Sequence, residues 1–192
     1  MTKYKIAIFA SGSGSNAEEI MKHFQHHKEI EVVLLLSNNP TAYALQRAQK
    51  FNVDTNVFNK TEFRTTELVL EWLTKKTVTH VVLAGFLWLV PDYLLKAYPH
   101  RIVNIHPALL PKYGGAGMYG MKVHEAVKAA EEKETGITIH EVNEHYDEGK
   151  TLFQAHCIVE PDDSPEAIAT KIHQLEYQHY PSVIESWIYG RL

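Results

Sequence analysis

Short apolar runs alternate with stretches of helical spacing through the first half of the chain, and this alternation limits the fold more than any other feature of the sequence. Residues 5–9, 31–36, 53–58 and 80–84 read as strands, and residues 17–24, 43–51, 61–75 and 91–97 as the helices between them. Strands separated by helices predict a mostly parallel, twisted sheet, because each crossover returns the chain beside the preceding strand with a fixed hand. Helices then cover both faces, giving an α/β, Rossmann-like domain whose ligands sit beyond the carboxyl ends of the strands.

The next strand carries the chemistry. It begins Ile102-Val103-Asn104-Ile105-His106-Pro107. Alternate side chains of a strand share a face, so Asn104 and His106 point one way while Val103 and Ile105 point into the opposite layer. Pro107 disfavours helical geometry at His106 and holds it extended at the strand end. A neutral amide can donate to a developing oxyanion, and an imidazole exchanges protons near neutral pH. The pair suits acyl or formyl transfer, although a capped turn and a packed histidine would use the same residues.

Ser11-Gly12-Ser13-Gly14-Ser15-Asn16 joins the first strand to the first helix. Glycines allow close backbone approach, and a helix N-terminus offers N–H groups, so this is a candidate phosphate cradle. Gly12, Gly14 and Ala17 also fit a loose dinucleotide fingerprint, but residues 31–36 run into Ser37-Asn38-Asn39-Pro40 without the carboxylate that fingerprint wants. A tight turn that binds nothing is the third reading. Residues 85–91 form a hydrophobic crossing that either walls an apolar pocket or belongs to the core.

Beyond His106, residues 112–120 are glycine-rich and predict a mobile cover. A helix over 122–131, a strand over 136–142, a polar loop over 143–150 and a strand over 151–159 follow. Ser164-Pro165 starts a long helix that reaches Tyr180 or passes Pro181, with Ile168, Ile172 and Leu175 on its buried face. His173 and Glu176 are surface neighbours on that helix, and a solvated pair is the plain reading. No internal repeat or linker marks a second domain. The expected organisation is one domain over 1–192, with halves in 1–100 and 101–192.

Twelve histidines invite a metal site, and His140-Glu141-Val142-Asn143-Glu144-His145 superficially resembles a zinc-protease helix. The two histidines are five apart instead of four and lie in a strand and loop, so no metal is expected. Ser11-Gly12-Ser13 does not form the serine-hydrolase elbow. A net charge of -4 argues against a nucleic-acid partner. The apolar runs at 32–36 and 81–90 fall short of the roughly 18 residues of a membrane span. A single cysteine, Cys157, and an N-terminus without a signal-peptide pattern point to the cytoplasm.

Four motifs, in order, resemble the phosphoribosylglycinamide formyltransferase (glycinamide ribonucleotide transformylase) family over essentially the whole chain. They are Ser11–Asn16, Leu83-Ala84-Gly85-Phe86, Asn104 to Pro111, and Asp147-Glu148-Gly149 before Phe153-Gln154. The resemblance implies transfer of a formyl group from the cosubstrate 10-formyltetrahydrofolate to the glycine amine of a ribonucleotide in purine synthesis. It implies catalytic roles for Asn104, His106 and Asp147, with Asp147 favouring the imidazolium form of His106. By matching position, Gly14, Ser15, Asn16, His173 and Glu176 contact the nucleotide. Leu87, Trp88, Leu89, Val90, Asn104, Val142, Asn143, Asp147 and Arg64 fall in the family's folate set.

Trp88 stands where many members carry arginine, and Glu148 and Lys150 depart from the usual small residues after Asp147. The expected partners are small molecules, glycinamide ribonucleotide and formylfolate, with the protein a monomer or homodimer. Formyltransferases acting on tRNA or amino sugars, and formyltetrahydrofolate deformylases, share this core but carry further domains. A non-catalytic nucleotide- or folate-binding module is the remaining alternative.

Overall fold

A computed structural model describes residues 3–192. Among the described residues seven strands form one sheet in the order β3-β2-β1-β4-β5-β6-β7. The chain divides into two compact units, Met1–Val103 and Asn104–Leu192, with the boundary inside β5.

In the first unit β1 (Tyr4–Phe9), β2 (Ile30–Ser37), β3 (Asp54–Val57) and β4 (His80–Leu83) are joined by parallel pairings, Ile8 lying opposite Leu35 on one side and Val82 on the other. Ile6, Ala7, Ile8, Leu35 and Leu36 are wholly buried, as expected for strands covered on both faces. The helices are α1 (Ser15–Phe24), α2 (Tyr43–Lys50), α3 (Lys60–Thr65), α4 (Leu68–Lys75) and α5 (Asp92–Ala97).

The single helix expected over 61–75 is two. Asn59 starts α3 with a capping box, its side chain accepting the Glu62 N–H while the Glu62 carboxylate accepts the Asn59 N–H. The hydroxyls of Thr65 and Thr66 then donate to the carbonyls of Thr61 and Glu62, and Thr66 turns extended. Such local hydroxyl bonds offer the backbone an alternative to the helix. The break leaves Phe63 stacked on Phe58, with ring centroids 4.8 Å apart, and both rings packed around Phe9, Phe86 and Trp88. This cluster fixes residues 86–88.

The second unit takes the end of β5 (Ile102–His106), then α6 (Met121–Ala129), β6 (Glu134–Glu141), β7 (Thr151–Ile158) and α7 (Pro165–Ile188). β6 and β7 pair antiparallel, with Ile137 opposite Ala155. Ser164 caps α7 by accepting the Ala167 N–H, and the helix continues through Pro181. Its buried stripe steps in fours through Ile168, Ile172, Glu176, Tyr180 and Ile184, while Leu175, expected inside, is half-buried. Among the described residues no helix is long and apolar enough to cross a membrane, and no cluster of three or more His, Cys, Asp or Glu side chains is arranged to hold a metal.

Candidate active site

The end of β5 carries Asn104, half-buried, and His106, buried. His106 Nε2 lies 2.7 Å from the Tyr113 carbonyl oxygen. A carbonyl can only accept, so this nitrogen carries the hydrogen and Nδ1 is left as the atom through which the ring gains or loses a proton. Asp147 Oδ2 is 3.5 Å from that Nδ1, and Asp147 Oδ1 is 3.5 Å from His140 Nε2. Both separations are long for hydrogen bonds but short for electrostatic pairs.

His140 is the residue that the failed metal motif concealed. Its Nδ1 is 2.9 Å from the Glu141 carbonyl oxygen and so donates, which leaves Nε2 to accept from Asn104 Nδ2 at 3.2 Å. The amide of Asn104 is thereby oriented, with its second N–H uncommitted to His140. The signal was available: Thr138 and His140 are polar residues alternating with Ile137 and Ile139 in a strand, the same pattern as Asn104 and His106.

Thr138 fixes the turn after His106. Its hydroxyl donates to the Ala108 carbonyl at 2.7 Å and accepts the Leu110 N–H at 3.0 Å and a Gln154 N–H at 2.9 Å. Gln154 also donates to the Leu110 carbonyl. The Phe153-Gln154 motif therefore braces the strand end that presents His106.

Asp147 reaches the site through a close backbone approach. A Cβ on Gly149 would lie 1.6 Å from the Glu141 carbonyl oxygen, so only glycine fits there. The Glu141 N–H donates to the Lys150 carbonyl, and Asp147 itself adopts a φ of 59°. Its Oδ2 accepts the Gly115 N–H at 3.0 Å. The glycine-rich segment expected to be a free cover is thus tied at its start, through the Tyr113 carbonyl to His106 and through the Gly115 amide to Asp147.

Burial pushes the His106 pKa below its ordinary value, outweighing the opposing pull of the Asp147 carboxylate and the Tyr113 carbonyl. Asp147 does favour the imidazolium, as expected, but the net direction is the reverse and the resting ring is mainly neutral at pH 7. Burial pushes the Asp147 carboxyl up. The neighbouring His140 ring, the His106 charge and the Gly115 amide outweigh it, and the carboxyl titrates below the usual carboxylate range.

On α7, Glu176 is only 5% exposed, which corrects the solvated-pair reading. His173 Nδ1 lies 2.9 Å from Glu176 Oε2, and this hydrogen bond raises the histidine's pKa. His124, on α6, is buried with its Nδ1 lacking a hydrogen-bond partner among the described residues, and burial followed by the His173 charge pushes its pKa down. No sequence motif had singled it out. Val142 and Asn143 are half-buried where the loop leaves β6, and Asn143 Oδ1 accepts the His145 N–H.

In the first unit, Gly14 has a φ of 71°, and a Cβ there would meet the Ala44 Cβ at 2.5 Å. Ser15 and Asn16 are half-buried in the first turn of α1. The Ser11 hydroxyl accepts the Leu87 N–H, and the Ser11 N–H donates to Gly85, so the cradle and the 85–87 crossing are joined. Leu87 is exposed, Trp88 and Leu89 are half-buried and Val90 is buried, so this crossing serves core and surface together. Arg64 is exposed on the last turn of α3.

Comparison with known proteins bears on these constellations. Residues 4–184 match the formyl transferase family model. Phosphoribosylglycinamide formyltransferase of Bacillus subtilis is 36% identical over 188 residues, covering 94% of this chain and 93% of that protein. The chloroplastic enzyme of Arabidopsis thaliana is 40% identical over 187 residues, and the alignment covers 94% of this chain but 64% of the longer plant protein. The crystal structure of glycinamide ribonucleotide transformylase 1 from Symbiobacterium toebii superposes with a TM-score of 0.90 at 30% identity, covering 99% of this chain and 90% of that one. Motif order, strand order and near full-length similarity agree, and the chain belongs to the phosphoribosylglycinamide formyltransferase family.

Proposed function

We propose that this protein transfers the formyl group of 10-formyltetrahydrofolate to the amine of N1-(5-phospho-D-ribosyl)glycinamide, a step of purine synthesis. Family membership supports the reaction class. The observation that carries the assignment of roles is the His106 ring, its Nε2 held by the Tyr113 carbonyl and its Nδ1 left beside Asp147, near an Asn104 amide oriented by His140.

Attack by the glycine amine on the formyl carbon forms an N–C bond and a tetrahedral oxyanion; breaking the C–N10 bond releases tetrahydrofolate. A proton must pass from the attacking nitrogen to N10. His106 takes it at Nδ1 and returns it, the imidazolium being stabilised in between by Asp147. The second N–H of Asn104 and the transient imidazolium stabilise the oxyanion. Gly14, Ser15 and Asn16 hold the phosphate, and Glu176 with His173 holds the ribose. Leu87–Val90, Val142, Asn143 and Asp147 contact the folate, with Arg64 toward its tail. Residues 1–100 carry the phosphate contacts of the nucleotide, and 101–192 the catalytic residues with the Val142, Asn143 and Asp147 folate contacts.

The test follows absorbance as formylfolate is converted to tetrahydrofolate, with and without glycinamide ribonucleotide. Conversion only with the nucleotide is the expected result. Conversion regardless of nucleotide selects a deformylase, and no conversion selects a binding module; either overturns the proposal.

A further inference from the structure

The cradle at the start of α1 contains an electrostatic contradiction. Glu18 lies in the first turn of the helix, where a carboxylate favours the helix dipole but repels a bound phosphate. Its side chain is only 16% exposed, so solvent screens it poorly.

Arg47 on α2 resolves the contradiction in two ways. Its Nη1 pairs with the Glu18 carboxylate, and its Nε–H donates to the Ser13 carbonyl at 2.9 Å. The guanidinium also lies over the Tyr43 ring, 4.9 Å from its centroid. The two carbonyls before Ser13 are held as well: Asn39 Nδ2 donates to Ser11 at 3.3 Å, and the Ala44 N–H to Gly12 at 3.1 Å. In a trans peptide the C=O of one residue and the N–H of the next point in opposite directions. Tying back the carbonyls of Ser11, Gly12 and Ser13 therefore turns the N–H groups of Gly12, Ser13 and Gly14 away from their holders.

We propose that Arg47 is a positioning residue of the phosphate cradle: it masks Glu18 and holds the Ser13 carbonyl, so that an incoming phosphate meets amide donors and not a carboxylate. The inference rests on the reading of residues 14–16 as the phosphate site. Arg47 acts through the loop and through Glu18, without touching the reacting atoms.

The experiment measures steady-state kinetics of the full chain with glycinamide ribonucleotide and with its dephosphorylated riboside. Wild type should prefer the phosphorylated substrate strongly in kcat/KM. Arg47→Met should raise KM for the ribonucleotide by about tenfold to a hundredfold, the scale of losing a charged hydrogen bond, with kcat held within about twofold and the riboside unaffected. Arg47→Lys, which keeps the charge but cannot reproduce the two-point grip, should recover part of the loss. Glu18→Gln combined with Arg47→Met should recover more, because the unmasked carboxylate is gone.

If Arg47→Met retains the phosphate preference, or loses both substrates equally, the proposal is overturned while the cradle reading stands. If wild type itself shows no phosphate preference, the cradle reading fails and this proposal with it. Thermal unfolding of Arg47→Lys and Arg47→Met separates a lost fold from a lost grip.

Discussion

Replacing Asp147 by asparagine keeps the shape of the loop and removes one charge beside two histidines. The carboxylate lies 3.5 Å from His106 Nδ1 and is 11% exposed. Unit charges about 4 Å apart interact by roughly 4 kcal/mol at an effective dielectric of ~20, and an opposite charge at this range moves a pKa by about 1–3 units. The carboxylate favours the imidazolium, so its removal lowers the His106 pKa further, from a position that burial has already brought below 6.5. The imidazolium formed during transfer loses the same stabilisation, and kcat at neutral pH should fall by about tenfold to a thousandfold. Below the wild-type pKa the wild-type base is itself protonated and slows, whereas the variant's acid limb lies about 1–3 units lower, so the gap narrows in acid. The loss is therefore fully developed at neutral pH as well as above it. Nitrogen-15 NMR titration of the imidazoles reads the pKa directly, and kcat between pH 5 and 8 reads the consequence. A His106 pKa in Asp147→Asn that is unchanged or raised, or a kcat deficit uniform with pH, refutes the reasoning.

His140→Ala removes the acceptor that orients Asn104, and kcat should fall by about tenfold to a hundredfold with KM for both substrates little changed, as expected for a misplaced donor. An unchanged kcat in steady-state assays contradicts that role. His80 is pushed down to about 4, first by burial and then by the Arg101 charge. Its neutral form is favoured on folding, so this contribution to stability is complete above pH ~6.5 and is lost as pH falls toward the folded pKa. Urea unfolding midpoints measured at pH 7.5 and pH 5 should differ less in His80→Gln than in wild type, and equal pH dependence rules the contribution out.

The site was legible wherever its cause is local. Strand alternation and Pro107 announce Asn104 and His106, and Gly/Ser punctuation announces the turn into α1. A stripe through Leu175 leaves Glu176 outside; a step of four from Ile172 to Tyr180 passes through Glu176 and buries it. The helix break after Thr65 was encoded in two adjacent threonines whose hydroxyls compete for backbone carbonyls, a weak signal beside the apolar pattern of 68–73. Asp147 could not be placed from local pattern. Its position depends on a contact between Gly149 and Glu141 and on a left-handed backbone, and only resemblance to a family pointed to it. His140 was visible as a polar residue on a buried strand but became meaningful only with Asn104 beside it.

The most direct measurement is turnover of formylfolate in the presence of glycinamide ribonucleotide by purified, folded His106→Ala. If Nδ1 of His106 carries the transferred proton, kcat falls by about 10²–10⁴-fold. Turnover at the wild-type rate contradicts the account.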